Sequence, residues 1–209
     1  EDLISEEDRV VTISHSGYAK TQPLSDYQSQ HRGGTGKSAT AVKDDDFVEH
    51  LLIASTHSTI LCFTNVGKVY WLKVYQIPVA GRNSKGRPMI NLLPLDENER
   101  INSILPVSEY DKNKYIIMAT ANGTVKKTSL DQYSRPRSVG LRAVDLVEGD
   151  YLVGSAITDG NSDVMLFSSE GKAVRFSESD VRSVGRVSKG VRGMRLPDEH
   201  KVLSMIIPA

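Results

Sequence analysis

The chain has 209 residues, 39% hydrophobic and 25% charged, and its 26 basic residues balance 26 acidic ones. That length supports one large domain or two small ones with a substantial core, and the zero net charge argues against a uniformly basic nucleic-acid binder. No apolar run approaches the ~20 residues of a membrane-spanning helix, and the single cysteine, Cys62, excludes an internal disulfide, in keeping with a reducing cytoplasm.

Residues 1–9 are rich in Glu and Asp and read as an acidic lead-in to a domain over 10–209. A hairpin signal follows at 10–20: an apolar β-prone run, a small polar turn closed by Gly17, and a second strand with Lys20. Behind it come a basic glycine-rich stretch at 30–37, the acidic Asp44, Asp45 and Asp46, and a short strand signal at 51–54. The same order recurs three times. Hairpin 60–70 turns at Gly67 and is followed by Arg82, Lys85, Gly86 and Arg87, then Asp96 and Glu97, then strand 101–105. Hairpin 117–126 turns at Gly123 and leads to Arg135, Arg137, Gly140 and Arg142, then Glu148 and Asp150, then strand 151–154. Hairpin 164–174 turns at Gly171 and leads to Arg182, Arg186, Lys189, Gly190 and Arg192, then Asp198 and Glu199, then strand 202–207.

The turn glycines are 50, 56 and 48 residues apart, and the loop glycines (Gly36, Gly86, Gly140, Gly190) follow them by 19, 19, 17 and 19. No segment holds a 3.6-residue apolar period, so helices are minor. The pattern predicts an all-β, propeller-like array of repeated four-stranded blades. Equivalent positions of a radial repeat share one edge, so the basic loops would form a belt suited to a phosphate backbone, with the acidic loops displaced from it. Glycine would let main-chain N–H groups approach phosphate oxygens. An aromatic content of 6% offers no stacking platform for single strands and favours duplex DNA. The alternative is a propeller that binds a protein through its faces.

Other chemistry is poorly supported. Gly36-Lys37-Ser38 looks like the end of an ATP-binding phosphate loop, but the glycine needed five residues earlier is His31. The five histidines show no metal-ligand spacing with each other or with Cys62, which lies in an apolar strand and reads as a buried, inert thiol. Tyr27, Ile77, Tyr133 and Val181 share one repeat position, ten residues after each turn glycine, and read as packing. No residue is assigned a catalytic role, and no cofactor or metal is expected.

The stretch Gln30-His31-Arg32-Gly33-Gly34-Thr35-Gly36-Lys37 resembles the gyrase box, a basic glycine-rich heptapeptide diagnostic of DNA gyrase A subunits. The family pattern is glutamine, two basic residues, two glycines, a basic residue and glycine. Gln30, Arg32, Gly33, Gly34 and Gly36 match it, while His31 and Thr35 replace strongly basic residues. Residues 38–40, 75–78, 91–95 and 119–127 are also similar to enterobacterial-type gyrase, so the resemblance runs over essentially the whole chain. It implies a β-pinwheel, in which neighbouring blades exchange strands and duplex DNA wraps around the basic outer edge. The wrap would direct ATP-dependent negative supercoiling by the full type II topoisomerase. Implied partners are double-stranded DNA, the rest of the gyrase A subunit, and the gyrase B subunit, in the bacterial cytoplasm at the nucleoid and away from membranes. The related topoisomerase IV subunit lacks the box. The family disc has six blades, so four hairpins imply a partial disc. Without basic groups at positions 31 and 35, up to two phosphate-neutralising charges are missing, which flattens the salt dependence of binding; Lys37 compensates in part.

Overall fold

A computed structural model describes residues 3–32 and 46–209. The strands are β1 (Asp8–Ser14), β2 (Tyr18–Pro23), β3 (Val48–Ser55), β4 (Thr59–Thr64), β5 (Lys68–Lys73), β6 (Arg87–Pro88), β7 (Ile101–Val107) and β8 (Tyr115–Thr120). They continue as β9 (Thr124–Ser129), β10 (Leu141–Arg142), β11 (Leu152–Thr158), β12 (Asp163–Ser168), β13 (Ala173–Ser177), β14 (Val191–Arg192) and β15 (Val202–Ile206). Among the described residues one α-helix, α1 (Leu24–Arg32), interrupts the β pattern, and the other helical turns are short 3-10 segments. Strand β1 starts at Asp8, inside the expected lead-in.

The four hairpins turn by one device. Gly17, Gly67, Gly123 and Gly171 take φ of +91°, +82°, +93° and +80°, a region open to glycine at little steric cost. Each glycine N–H donates to the carbonyl three residues back, that of Ser14, Thr64, Thr120 or Ser168, at 2.9–3.1 Å. The side-chain hydroxyl of that same residue then accepts the N–H just after the glycine, from Tyr18, Lys68, Thr124 or Lys172, at 3.1–3.4 Å. A Ser or Thr three residues before the glycine is therefore part of the turn.

The sheets run β3-β1-β2-β6, β10-β5-β4-β7, β11-β8-β9-β14 and β13-β12-β15. In the first three, the outermost short strand comes from the basic loop of the next repeat and pairs antiparallel with the hairpin's second strand: Ala19 with Arg87, Val69 with Leu141, Val125 with Val191. These are the exchanged strands of a pinwheel. They explain two of the loop glycines, because a Cβ on Gly86 would sit 2.2 Å from the Ala19 carbonyl oxygen and one on Gly190 2.3 Å from that of Val125. At both positions close packing onto the neighbouring blade demands glycine. Among the described residues, the fourth sheet has three strands.

The chain forms two compact units: one contains the first sheet, the other the third and fourth, and the boundary runs through the second. In the first unit Val10, Val11, Ile13 and Ala19 are buried, with Ile77 and Met89. In the second, Ile117, Ala119 and Val125 of the third sheet share one core with Val164, Leu166 and Val202 of the fourth, joined by Val181 and Met194. Cys62 is fully buried in β4, and burial pushes its thiol up to about 12, as an inert thiol requires. Tyr133, Ile77 and Val181 are core residues, whereas Tyr27 on α1 is only half-buried.

Candidate nucleic-acid interface

The predicted basic residues of the second, third and fourth repeats sit on the loops that deliver the exchanged strands. In the first unit Arg82, Lys85 and Arg87 are all exposed. Their loop is held from below by β2: the Lys20 Nζ donates to the carbonyls of Gly81 (3.1 Å), Arg82 (3.1 Å) and Ser84 (2.9 Å). Burial lowers the Lys20 amine's pKa from its ordinary value. The Lys85 ammonium lies 5.6 Å from the centre of the Tyr18 ring, and Thr21 exchanges main-chain hydrogen bonds with Pro78 and Ala80 at the loop's entrance.

In the second unit two basic loops are brought together. Arg135, Arg137, Arg142, Arg182, Lys189 and Arg192 are exposed and Arg186 is half-exposed. The Arg186 N–H donates to Gln132 Oε1 (2.9 Å), and its Nη1 donates to the Arg142 carbonyl (2.9 Å). Beneath them Lys126, 1% exposed, donates from Nζ to the Ala143 carbonyl at 2.6 Å and to the Arg186 carbonyl. Burial, reinforced by the Arg186 guanidinium and opposed by Asp145, lowers the Lys126 amine to about 8. A parallel bridge between Lys127 and Ser183, with the Val184 N–H bonded to the Lys127 carbonyl at 2.8 Å, aligns the fourth repeat's loop with β9.

Of the glycine-rich stretch, Gln30 lies on α1, where its Oε1 accepts from Gln22 Nε2 at 3.3 Å and ties the helix to β2. The backbone of His31 and Arg32 ends the helix. Gly33, Gly34, Thr35, Gly36 and Lys37, and the side chains of His31 and Arg32, lie outside the described residues.

Two of the acidic positions have structural work. Asp46 accepts the N–H groups of Ser16 (2.9 Å) and Phe47 (3.1 Å) and bonds the Ser16 hydroxyl, interactions that hold its carboxyl down at about 2. Asp150 accepts those of Asn122 and Tyr151, both at 2.9 Å. Each caps a hairpin turn. The second and fourth hairpins use Asn65 and Ser169 instead, accepting from Arg100 (2.8 Å) and Lys201 (3.0 Å). The acids at 46 and 150 are thus turn caps, a role their clustering concealed.

Among the described residues no cluster of His, Cys, Asp and Glu could hold a metal ion, and no helix is long and apolar enough to cross a membrane. Antiparallel blades that take a strand from the following repeat and expose basic loops at fixed repeat positions define a propeller-type domain of the pinwheel kind. A family model described as "DNA gyrase C-terminal domain, beta-propeller" matches residues 8–55, 58–108, 114–159 and 162–209, one match per blade. The chain belongs to this family. It is 58% identical over 208 residues to the DNA gyrase A subunit of Klebsiella oxytoca, a match covering 100% of this chain and 24% of that protein. The Escherichia coli K12 gyrase A subunit is 56% identical over the same length and coverage. The chain thus spans about a quarter of the length of these curated relatives. Among solved structures, the C-terminal domain of a DNA topoisomerase IV superposes with a TM-score of 0.83 at 30% identity, covering 99% of this chain and 63% of that one. A DNA gyrase A C-terminal domain gives 0.72 at 24% identity, with 96% and 65% covered, and supports the fold alone.

Proposed function

We propose that the chain binds and bends duplex DNA along its basic loops, as the wrapping domain of a gyrase A subunit, and performs no bond chemistry itself. The observation that carries this is the repeated geometry of those loops. Three times, exposed Arg or Lys residues sit beside a strand anchored by main-chain pairing to a rigid hairpin. Such contacts neutralise phosphates and fix the path of the duplex without reading bases. Smooth bending over 20–30 bp costs on the order of 1–6 kcal/mol, so several loops must act together. The gyrase-box residues Gln30–Lys37 are assigned to the same interface by their likeness to the family pattern. In this reading the partners are double-stranded DNA, the remainder of the gyrase A subunit, and the gyrase B subunit. The site of action is the bacterial nucleoid, where the complete ATP-hydrolysing topoisomerase introduces negative supercoils. The chain needs no cofactor of its own.

The closer superposition on a topoisomerase IV domain favours a second reading, DNA binding without wrapping. Ligation of nicked plasmid in the presence of the chain, across a salt series, separates the two. Trapped writhe of one sign, with affinity falling steeply as salt rises, supports wrapping. Salt-dependent binding without writhe favours the second reading. Absence of duplex binding at low salt defeats both and favours a protein-binding propeller. Arg186→Glu with Lys189→Glu should lower the slope of log K against log salt by about 0.9 for each phosphate no longer neutralised.

A further inference from the structure

The third residue after each turn glycine is Lys20, Tyr70, Lys126 or Val174. In the first three blades this residue lies under the basic loop of the following repeat. Lys20 collects three carbonyls of the following loop, at Gly81, Arg82 and Ser84, and Lys126 collects the Arg186 carbonyl of the following loop together with that of Ala143, just past its own repeat's loop. Tyr70 fills the same place with a ring: a Cβ on Gly140 would fall 2.6 Å from Tyr70 Cε1, and the phenol donates to the buried Glu99 at 2.9 Å. The position is a pin that sets the shape of the loop above it.

A lysine pin does more than fill space. The described peptide bonds are all trans, and in a trans peptide the N–H points opposite to its C=O. Turning the carbonyls of Gly81 and Arg82 inward onto an ammonium therefore directs the N–H groups of Arg82 and Asn83 outward. The Arg186 carbonyl, drawn onto Lys126, directs the Val187 N–H outward in the same way. Outward main-chain N–H groups flanked by guanidinium and ammonium side chains make a concave anion seat. The pinning charge lies behind that seat. Lys126 is 1% exposed with its amine engaged by two carbonyls, so it is not placed to touch a phosphate itself.

We propose that Lys20 and Lys126 are positioning residues for phosphate binding: Lys20 draws three carbonyls of its loop inward and Lys126 draws in the Arg186 carbonyl, so that the main-chain N–H groups beyond them and the loops' cationic side chains face the DNA backbone. The proposal rests on the DNA-binding reading above and adds the residues that shape its contacts.

The test uses the 209-residue chain, a linear duplex and a salt series, with Lys20→Met as the main variant because Lys20 is only half-buried. Removing a single phosphate contact would lower the salt slope by about 0.9, whereas collapse of a shaped loop should lower it by about 2 and cut affinity at least tenfold. A reference variant, Arg82→Ser with Lys85→Ser and Arg87→Ser, removes the loop's own cations. In that background Lys20→Met should have little further effect, because both changes remove one set of contacts. Lys126→Met against Arg182→Ser, Arg186→Ser and Lys189→Ser repeats the cycle in the second unit, and Lys20 carries the test if Lys126→Met does not fold. The proposal is overturned if Lys20→Met lowers thermal stability but keeps the wild-type affinity and slope, or if its effect adds fully to that of the loop variant. In either case the DNA-binding reading stands, provided the loop variant binds weakly. A wild-type chain without salt-dependent duplex binding overturns both.

Discussion

The third and fourth blades are built from the same hairpin and differ in how it is covered. Strand β8 is buried at five consecutive positions and β9 at its four central ones, while β12 alternates buried and half-buried residues and β13 is exposed or half-exposed throughout. The third blade carries β14 on the free side of β9, and the Gly193 and Met194 N–H groups close on the carbonyl of its turn glycine at 2.8 and 3.3 Å. Among the described residues, no short strand pairs with β13. The fourth hairpin thus keeps its strand pairing without an exchanged strand, while the fuller burial of the third comes with the strand from the neighbouring repeat.

The turn glycines give the sharpest way to break this comparison. Gly123 and Gly171 share a left-handed conformation, but a Cβ on Gly123 would lie 2.5 Å from the Met194 carbonyl oxygen, whereas one on Gly171 meets nothing within 4 Å. Gly171→Ala should cost only the conformational strain, about 1–2 kcal/mol. Gly123→Ala should cost the same strain plus displacement of the segment that follows β14, about 3 kcal/mol or more in total. Urea midpoints at constant slope would show it. Equal losses at the two glycines would mean that the exchanged strand contributes little to the third blade.

A second contrast lies at Lys126 and its counterpart Val174. The Lys126 amine titrates near 8 in the folded chain and from an ordinary value of 10.5 when unfolded. Between those values the unfolded chain holds a proton that the folded chain has released, so stability from this group rises with pH. Its unfavourable contribution is complete below pH 8 and relieved above 10.5, at most about 3 kcal/mol across the window. The stability of wild type relative to Lys126→Met should climb over that range, with no such trend for Val174→Met. Loss of the ammonium should at the same time weaken the loops, so DNA affinity is expected to fall as stability rises.

The blade count, the four hairpins and the three basic loops among the described residues were legible in the sequence because glycine and charge recur there at nearly fixed intervals. The residues of the exchanged strands were not: Arg87–Pro88, Leu141–Arg142 and Val191–Arg192 are two residues long, and a period of two needs more than one repeat to be seen. Lys20 and Lys126 looked like ordinary strand cations, since nothing local reports that an amine three residues past a turn meets carbonyls 17 to 64 residues away. One further signal does stand in the sequence. Ser14, Thr64, Thr120 and Ser168 all lie three residues before a turn glycine, and each supplies the hydroxyl that accepts the N–H beyond it. Thr120→Val and Ser168→Ala should each cost about 1 kcal/mol, because the acceptor is buried in both blades. A loss at Thr120 alone would show that the fourth hairpin's turn is looser than its geometry indicates.

The smallest expected effect concerns what holds the open strand β13 in place. Arg175 pairs with Asp163 across the hairpin, Nε to Oδ2 at 2.8 Å, with the two side chains 56% and 40% exposed. Both sit in water, where an ion pair is screened and the ordering of two side chains offsets most of its Coulomb gain, leaving a few tenths of a kcal/mol. Val174 and Phe176 on the same strand pack instead against the core of Ile117, Val164 and Leu166. Asp163→Asn should therefore change stability by less than about 0.5 kcal/mol and lose even that at high salt. Val174→Ala should cost more, about 1–2 kcal/mol, because it removes partly buried methyl groups from a packed site. The reverse order, with the charge change the more damaging, would mean that surface electrostatics hold β13 in register, and the contrast with β9 would then be one of mechanism as well as of coverage.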